Sequence, residues 1–386
     1  MKSEPRNLKV EGQQTGGEEL LSPQEQAALA GDTYTSRAWQ SVGPGLTADA
    51  LAGEQRTILR EQRRQLFDTI DRVQGKTTTA STGRRDKSQP HVTMRGDSYL
   101  FKRPLGVGGS GVAIDAIQQS TNDPCIVKCI TGLDRAADTV DQITQARKAI
   151  VEVAVLKKLA GLHAPKLLDA QLAPHPDNHD RRMMLIAMEK VSGQSGWDVV
   201  QEYDPTEQAD ELLKRAHALL QAIADIHQAG VLHLDLKPEH VFYSNDGADV
   251  TFIDFGIGHL PQLAEQQRQG QRVTSPHYAE AATDQQLGTP LFAPPEADAT
   301  SKFDAYGAGR IIQTFLYKEL ISDPESRAQA LTKLPDSLQA LHHIAEQMTV
   351  EAIDGRLDIP EALTQFYAAY PDYAPAEEAV RQQIAG

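Results

Sequence analysis

The run 233–241, HLDLKPEHV, sets a carboxylate, Asp235, two residues before an ammonium, Lys237. A carboxylate so placed can accept a proton from a hydroxyl while the neighbouring cation offsets charge on a group in transfer. Farther on, VTFIDFGIG carries Asp254-Phe255-Gly256, a second carboxylate able to hold a divalent ion against phosphates. The run GTPLFAPPE then brings Gly288, Thr289 and Glu296. Chance assembly of these strings in this order is improbable.

Upstream, LGVGGSGVA contains G-x-G-x-x-G at Gly106, Gly108 and Gly111. Glycines let backbone amides approach a polyphosphate because no Cβ stands in the way. Alone, the string fits a nucleotide loop, a dinucleotide-binding turn or an ordinary glycine-rich hairpin. Against the dinucleotide turn, the following VAIDAI reads as a strand more than the required helix. Lys128 stands inside the apolar run CIVKCI. A lysine there is either an exposed edge residue or a buried cation that needs an anionic partner. The second reading makes it a phosphate ligand steadied by Glu152, on the helical stretch VEVAVLKKL.

The elements that must carry these groups change character along the chain. Short strand-like runs (SYLF, CIVKCI, MLIAM) dominate from about His91 to Val191, broken by one helical stretch over 146–162. Beyond them, helical spacing prevails over 211–228, 303–320 and 338–348. A β-rich lobe followed by an α-helical lobe is an α+β arrangement with a cleft between. Ahead of it, 1–90 forms an extension. Its first twenty residues are polar and read as disordered. Residues 48–75 carry an apolar stripe (Leu51, Ile58, Leu59, Leu66, Phe67, Ile70, Val73) and read as an amphipathic helix. That helix is open to docking on its own domain, dimerising or binding a regulatory partner. The polar run 76–90 reads as a linker, 91–373 as the main domain and 374–386 as a tail.

In these motifs and their order the sequence resembles the eukaryotic-type serine/threonine protein kinase superfamily, from the glycine loop to about Tyr373. The resemblance implies a bilobal protein-kinase-like fold, with ATP and Mg²⁺ or Mn²⁺ as cofactors and serine or threonine hydroxyls of proteins as acceptors. On it, Gly106, Gly108 and Gly111 match the phosphate-covering loop, Lys128 the nucleotide-binding lysine and Glu152 its helix partner. Met188, Glu189 and Val191 match the gatekeeper and hinge, so that backbone groups of Glu189 and Val191 meet adenine. Asp235 matches the catalytic aspartate, Lys237 the loop lysine and Asp254 the metal ligand. Glu296 and Arg356 match the family's ion pair, and Asp304 its buried helix aspartate. Lys237 and the Gly288-Thr289 pair resemble the serine/threonine branch.

Four departures stand out. His240 occupies the place of the asparagine that is the family's second metal ligand. A neutral imidazole favours borderline ions over hard Mg²⁺, so weak Mg²⁺ activity, a preference for Mn²⁺ and a rise with pH through the histidine's pKa are expected. Leu234 replaces the arginine that clamps a phosphorylated loop, which implies activity independent of loop phosphorylation. The segment between Asp254 and Glu296 is long and polar and reads as a mobile loop. Pro294 and Ile126 depart in tolerable ways, although Ile126 narrows the adenine pocket.

The formal net charge is −15, from 53 acidic and 38 basic side chains among 386 residues. Such a balance disfavours nucleic acid and anionic membranes as partners. Two cysteines, Cys125 and Cys129, lie about 13 Å apart on an extended strand, too far for a disulfide. No stretch reaches membrane-spanning length and no signal peptide is seen, which leaves a cytoplasmic protein. The alanine- and glutamine-rich texture suggests a bacterial source, with delivery into a host cell as an effector the variant reading. Two other functions stay in view. One is a pseudokinase that binds nucleotide or partners, motivated by His240. The other is a non-protein phosphotransferase on the same fold.

Overall fold

The computed structural model describes residues 91–94, 97–108, 111–134, 140–175, 178–258, 288–296, 299–318 and 329–375. The extension with its amphipathic helix and linker, the polar segment 259–287 and the end of the tail lie outside the described residues.

The first half builds a six-stranded antiparallel sheet in the order β1-β2-β3-β4-β6-β5. Its strands are β1 (His91–Met94), β2 (Asp97–Gly108), β3 (Gly111–Gln118), β4 (Pro124–Asp134), β5 (Leu167–His175) and β6 (Asn178–Glu189). Strand alternation divides it into two faces. Ile114, Ala116, Cys125, Val127, Cys129, Leu185 and Ala187 pack together on one side with Tyr99 and Phe101. Ile130, Met184, Ile186 and Met188 point the other way, into the main core. Both cysteines are unpaired and buried on the first face. Burial pushes their thiols up to about 11 at Cys125 and about 12 at Cys129, which makes them poor nucleophiles.

Helix α1 (Val140–Leu159) follows β4 and packs across the sheet. It buries Ala149, Val153, Leu156 and Leu159, a helical spacing of three and four. It begins six residues before the apolar pattern does, because its first turns carry few apolar side chains to announce them. Lys157 and Lys158 in the last turn complement the helix dipole.

After β6 the chain becomes helical, through α2 (Gly196–Glu202), α3 (Ala209–Gln228), α4 (Ser301–Tyr317), α5 (Asp336–Met348) and α6 (Ile359–Ala369). Helix α4 is buried on nearly every side from Phe303 to Leu316, so it serves as the axis of the lobe. A second sheet of three short strands, β7 (Gln194–Ser195), β8 (Val241–Tyr243) and β9 (Val250–Phe252), lies where the two lobes meet. The loop 233–240 leads into β8, and Asp254 stands just past β9. The fold therefore presents Asp235 and Asp254 beside the Lys128-bearing sheet. This is the α+β, bilobal architecture expected from the sequence, with a β-rich lobe first and a helical lobe second.

Candidate active site

Glycine loop residues lie at the β2–β3 hairpin, where Gly108 pairs with Gly111 and Gly106 with Ala113. Gly111 has φ +127°, and a Cβ there would sit 2.3 Å from the carbonyl oxygen of Cys129 on β4. Glycine is thus required at Gly111 by strand packing. At Gly106 a Cβ would meet no protein atom within 4 Å, so packing does not demand glycine and the space over that backbone is open.

Lys128 reaches from β4 to α1. Its Nζ donates to both oxygens of Glu152, at 2.8 and 2.7 Å, and to Oδ1 of Asp254 at 3.0 Å. The edge-lysine reading fails, because Lys128 is only 9% exposed and its partner Glu152 2%. Burial alone would deprotonate the amine, but Glu152 and then Asp254 outweigh it and hold the ammonium at a pKa pushed up to about 12. Burial likewise opposes charge on Asp254, and Lys128 overcomes it, so that carboxylate stays ionised well below the usual range. One buried cation thus joins the sheet, α1 and the segment after β9.

A second cluster forms on the loop 233–240. The Thr289 hydroxyl donates to Asp235 Oδ1 at 2.7 Å and accepts from Lys237 Nζ at 2.9 Å. Lys237 Nζ also lies 3.3 Å from Asp235 Oδ2. Burial raises the Asp235 carboxyl, but the His240 ring, the Thr289 hydroxyl and Lys237 together bring it below its ordinary value. The carboxylate is therefore ionised, with an ammonium beside it, and can accept a hydrogen bond from a hydroxyl.

The loop is fastened from beneath. Backbone amides of His233 and Leu234 donate to the two oxygens of Asp304 on α4, at 2.8 and 2.7 Å, and His227 Nε2 donates to the same carboxylate at 2.8 Å. The His233 ring accepts from the Asp235 amide at Nδ1, 3.3 Å, and donates from Nε2 to the Ile253 carbonyl, 3.1 Å. Its burial pulls the ring pKa below the ordinary value, which suits that neutral tautomer. His233 therefore ties the Asp235 loop to the residue just before Asp254. Gly288 (φ +75°) closes the arrangement, since a Cβ there would press within 3.0 Å of the Leu234 carbonyl oxygen.

His240 stands between the clusters. Its Nδ1 donates to the Asp235 carbonyl at 2.9 Å, and its Nε2 lies 3.8 Å from Asp254 Oδ2. Burial lowers the ring pKa to about 4 despite both neighbouring carboxylates. The imidazole is therefore neutral at ordinary pH, and the rise in activity through an ordinary histidine pKa that the sequence suggested loses its basis. The bonded Nδ1 leaves the lone pair on Nε2, the nitrogen next to Asp254. Among the described residues no group of three or more acidic, histidine or cysteine side chains could hold a metal by itself. The donor set of Asp254 and His240 instead fits a divalent ion that completes its shell from phosphates.

The hinge follows β6. Met188 is buried and pairs with Ile126 and Leu167 across the sheet. The Glu189 amide donates to the Lys166 carbonyl at 2.9 Å. Val191 has no backbone hydrogen bond among the described residues. Distant from the cleft, Arg356 forks onto Glu296 through both terminal nitrogens, the second at 3.1 Å from Oε2, and its guanidinium lies over the Tyr306 ring at 5.0 Å.

Thr289, His227 and His233 were not read as site-building residues from sequence. The signal for Thr289 was its place in GTPLFAPPE, but a bond to a residue 54 positions earlier has no periodicity to reveal it.

The family model described as the protein kinase domain matches residues 99–375. A probable serine/threonine-protein kinase of Dictyostelium discoideum is 24% identical over 202 residues, 49% of this chain and 28% of the relative. The calcium/calmodulin-dependent protein kinase type 1 of Macrobrachium nipponense is 26% identical over 195 residues, 48% of this chain and 50% of the relative. Its namesake in Caenorhabditis elegans is 30% identical over 183 residues, 45% and 47% respectively. The chain thus spans about half the length of these relatives, or less. Nothing in these matches supports the bacterial, effector-like source suggested by composition. No helix among the described residues is long and apolar enough to cross a membrane.

Proposed function

Because the chain belongs to the protein kinase family, we propose that it transfers the γ-phosphate of ATP to serine or threonine hydroxyls of protein substrates. The juxtaposition that carries this reading is of two clusters, Lys128–Glu152–Asp254 and Asp235–Lys237–Thr289, with His240 between them at 3.5 Å from Asp235 Oδ2 and 3.8 Å from Asp254 Oδ2. One cluster suits a polyphosphate and the other an acceptor hydroxyl.

In this reading the open backbone at Gly106, with Gly108 and Gly111, covers the phosphates. Lys128, kept charged by Glu152, meets the nucleotide's anionic oxygens. The Glu189 carbonyl and the backbone of Val191 bind the adenine edge beside Met188. Asp235 orients the acceptor hydroxyl and takes its proton at a carboxylate oxygen. Lys237 offsets charge on the migrating group. Asp254 and His240 Nε2 would hold Mg²⁺ or Mn²⁺, which when bound would neutralise phosphate charge. The soft side of that pair, the imidazole, favours Mn²⁺. The domain is read as 91–373, and the pairing of β1 with β2 along its whole length supports the first of these bounds.

The test is transfer of label from γ-labelled ATP to a generic basic protein, with Mg²⁺ or Mn²⁺, for the chain and for Asp235→Ala. Label that appears with the native chain and disappears with the variant supports the reading. His240 favours one alternative, a pseudokinase that binds nucleotide or partners. Nucleotide binding without label transfer under either metal would select it. Transfer of α-label would select a different phosphotransferase chemistry.

A further inference from the structure

Asp115 is an acidic residue in the middle of strand β3 and is 5% exposed. Aspartate is depleted in strands, and burying its charge is costly without partners. The partners are specific. Lys190 Nζ, from the hinge, lies 2.8 Å from Asp115 Oδ1, and Arg103, opposite it on β2, has its Nε 3.9 Å from Oδ2.

The sheet register shows which side of the strand this carboxylate occupies. Asp115 pairs with Ile126, and Ala113 pairs with Lys128. Directly paired residues share a face, so Asp115, Ile126, Ala113 and Lys128 all lie on the face that carries the Lys128–Glu152 pair. Along β3, Asp115 is two residues beyond Ala113 toward the hinge. Strand β6 ends at Glu189. Past that point the ladder no longer fixes the chain to the sheet, and the next residue's side chain makes the tie instead.

We propose that Asp115 and Lys190 form a clamp that holds the hinge against the roof strand and thereby sets nucleotide affinity. Both are positioning residues, acting through the backbone of Glu189 and Val191. The inference rests on the reading of that backbone as the adenine contact. The pair is partly shielded, with side-chain exposures of 34% for Lys190 and 8% for Asp115, so it is screened less than a surface ion pair. Arg103, 73% exposed, contributes much less.

The experiment is a fluorescence titration with trinitrophenyl-ATP, alongside kcat and the KM for ATP. It compares the full chain with Asp115→Asn, Lys190→Gln, the double variant and Arg103→Gln. Each of the first two weakens nucleotide binding about tenfold, raises KM and leaves kcat unchanged. The double variant loses no more than the worse single one, and Arg103→Gln binds as the native chain does. Single variants with native affinity, or losses that multiply in the double variant, overturn the clamp. If Asp115→Asn fails to fold, Lys190→Gln on the half-exposed partner decides by its affinity alone. A native chain that binds the probe but transfers no phosphate removes the kinase reading and leaves the clamp judged by binding. Failure of the native chain to bind the probe overturns both.

Discussion

His240 Nε2 and Asp254 Oδ2 lie 3.8 Å apart, and the other imidazole nitrogen is spent on the backbone carbonyl of Asp235. That bond fixes the ring's tautomer, so an imidazole lone pair stands beside a carboxylate. A nitrogen donor discriminates between Mg²⁺ and Mn²⁺ more than an amide oxygen does. The variant His240→Asn therefore shifts the Mn²⁺-to-Mg²⁺ activity ratio toward Mg²⁺ by about tenfold. In the native chain, bound Mn²⁺ shows nitrogen coupling in electron spin echo spectra, and the variant loses it. Unchanged metal ratios and unchanged spectra would place the imidazole outside the metal shell.

Thr289 makes two hydrogen bonds to charged groups, one to Asp235 at 2.7 Å and one from Lys237 at 2.9 Å. A hydrogen bond to a charged group is worth about 1.5–3 kcal/mol, equivalent to roughly 10- to 150-fold in rate. Thr289→Val keeps the shape and removes both bonds, so phosphate transfer falls by at least the factor expected for one of them. Thr289→Ser retains the hydroxyl and most of the activity. Equal rates for Val and Ser variants would show that the bridge holds the loop without serving transfer.

The lobes were legible from sequence because strand and helix periodicities are local. SYLF, CIVKCI and MLIAM lie in strands β2, β4 and β6, the helical patterns over 211–228 and 338–348 lie in α3 and α5, and the pattern over 303–320 follows α4 as far as its end at Tyr317. Lys128 was legible for a related reason, since a charge inside an apolar run needs a partner wherever the chain folds. Ties between distant segments were not legible. Asp115 in VAIDAI looks like a polar break in alternation, and its partner Lys190 is 75 positions away. His227 reads as the polar face of an amphipathic helix until α4 brings Asp304 within 2.8 Å.

Leu234 occupies a left-handed conformation, φ +63°, and is fully buried. It packs with Leu232, Ala293, Ala299 and Phe303, and Ile257 lies against the group. The Asp235 loop and the segment before α4 are thus joined by apolar contact at a place where an arginine would need a phosphate. The expected outcome is that phosphatase treatment leaves phosphate transfer unchanged. Leu234→Ala leaves a cavity in this cluster and lowers unfolding free energy by about 2–4 kcal/mol, read from urea denaturation. Leu234→Arg forces a charge into the same space and destabilises further. Activity that vanished on phosphatase treatment would mean that this apolar contact does not suffice.

His217 on α3 supplies the pH dependence of stability that is easiest to isolate, because it lies apart from both charged clusters. Its ring stacks on Phe366 at 5.5 Å and touches Tyr367 and Tyr373 at 5.6 and 5.2 Å. Its Nε2 donates to the Tyr367 hydroxyl at 3.3 Å, and that hydroxyl donates onward to Gln221 at 3.2 Å. Burial lowers the ring pKa below its ordinary 6.5, so the folded state prefers the neutral form. The contribution is fully present above pH 6.5. Below that the unfolded chain takes up the proton first, and stability declines until the folded ring also titrates. Burial, and after it Asp210 and Glu211, raise the pKa of Tyr373, one of the ring's aromatic neighbours. The influence of these two carboxylates on the imidazole does not reverse the shift. His217→Phe keeps the aromatic packing and removes the titration. Urea midpoints measured from pH 7 down to pH 5 fall more steeply for the native chain than for this variant, and parallel slopes would show that the ring is protonated as readily folded as unfolded.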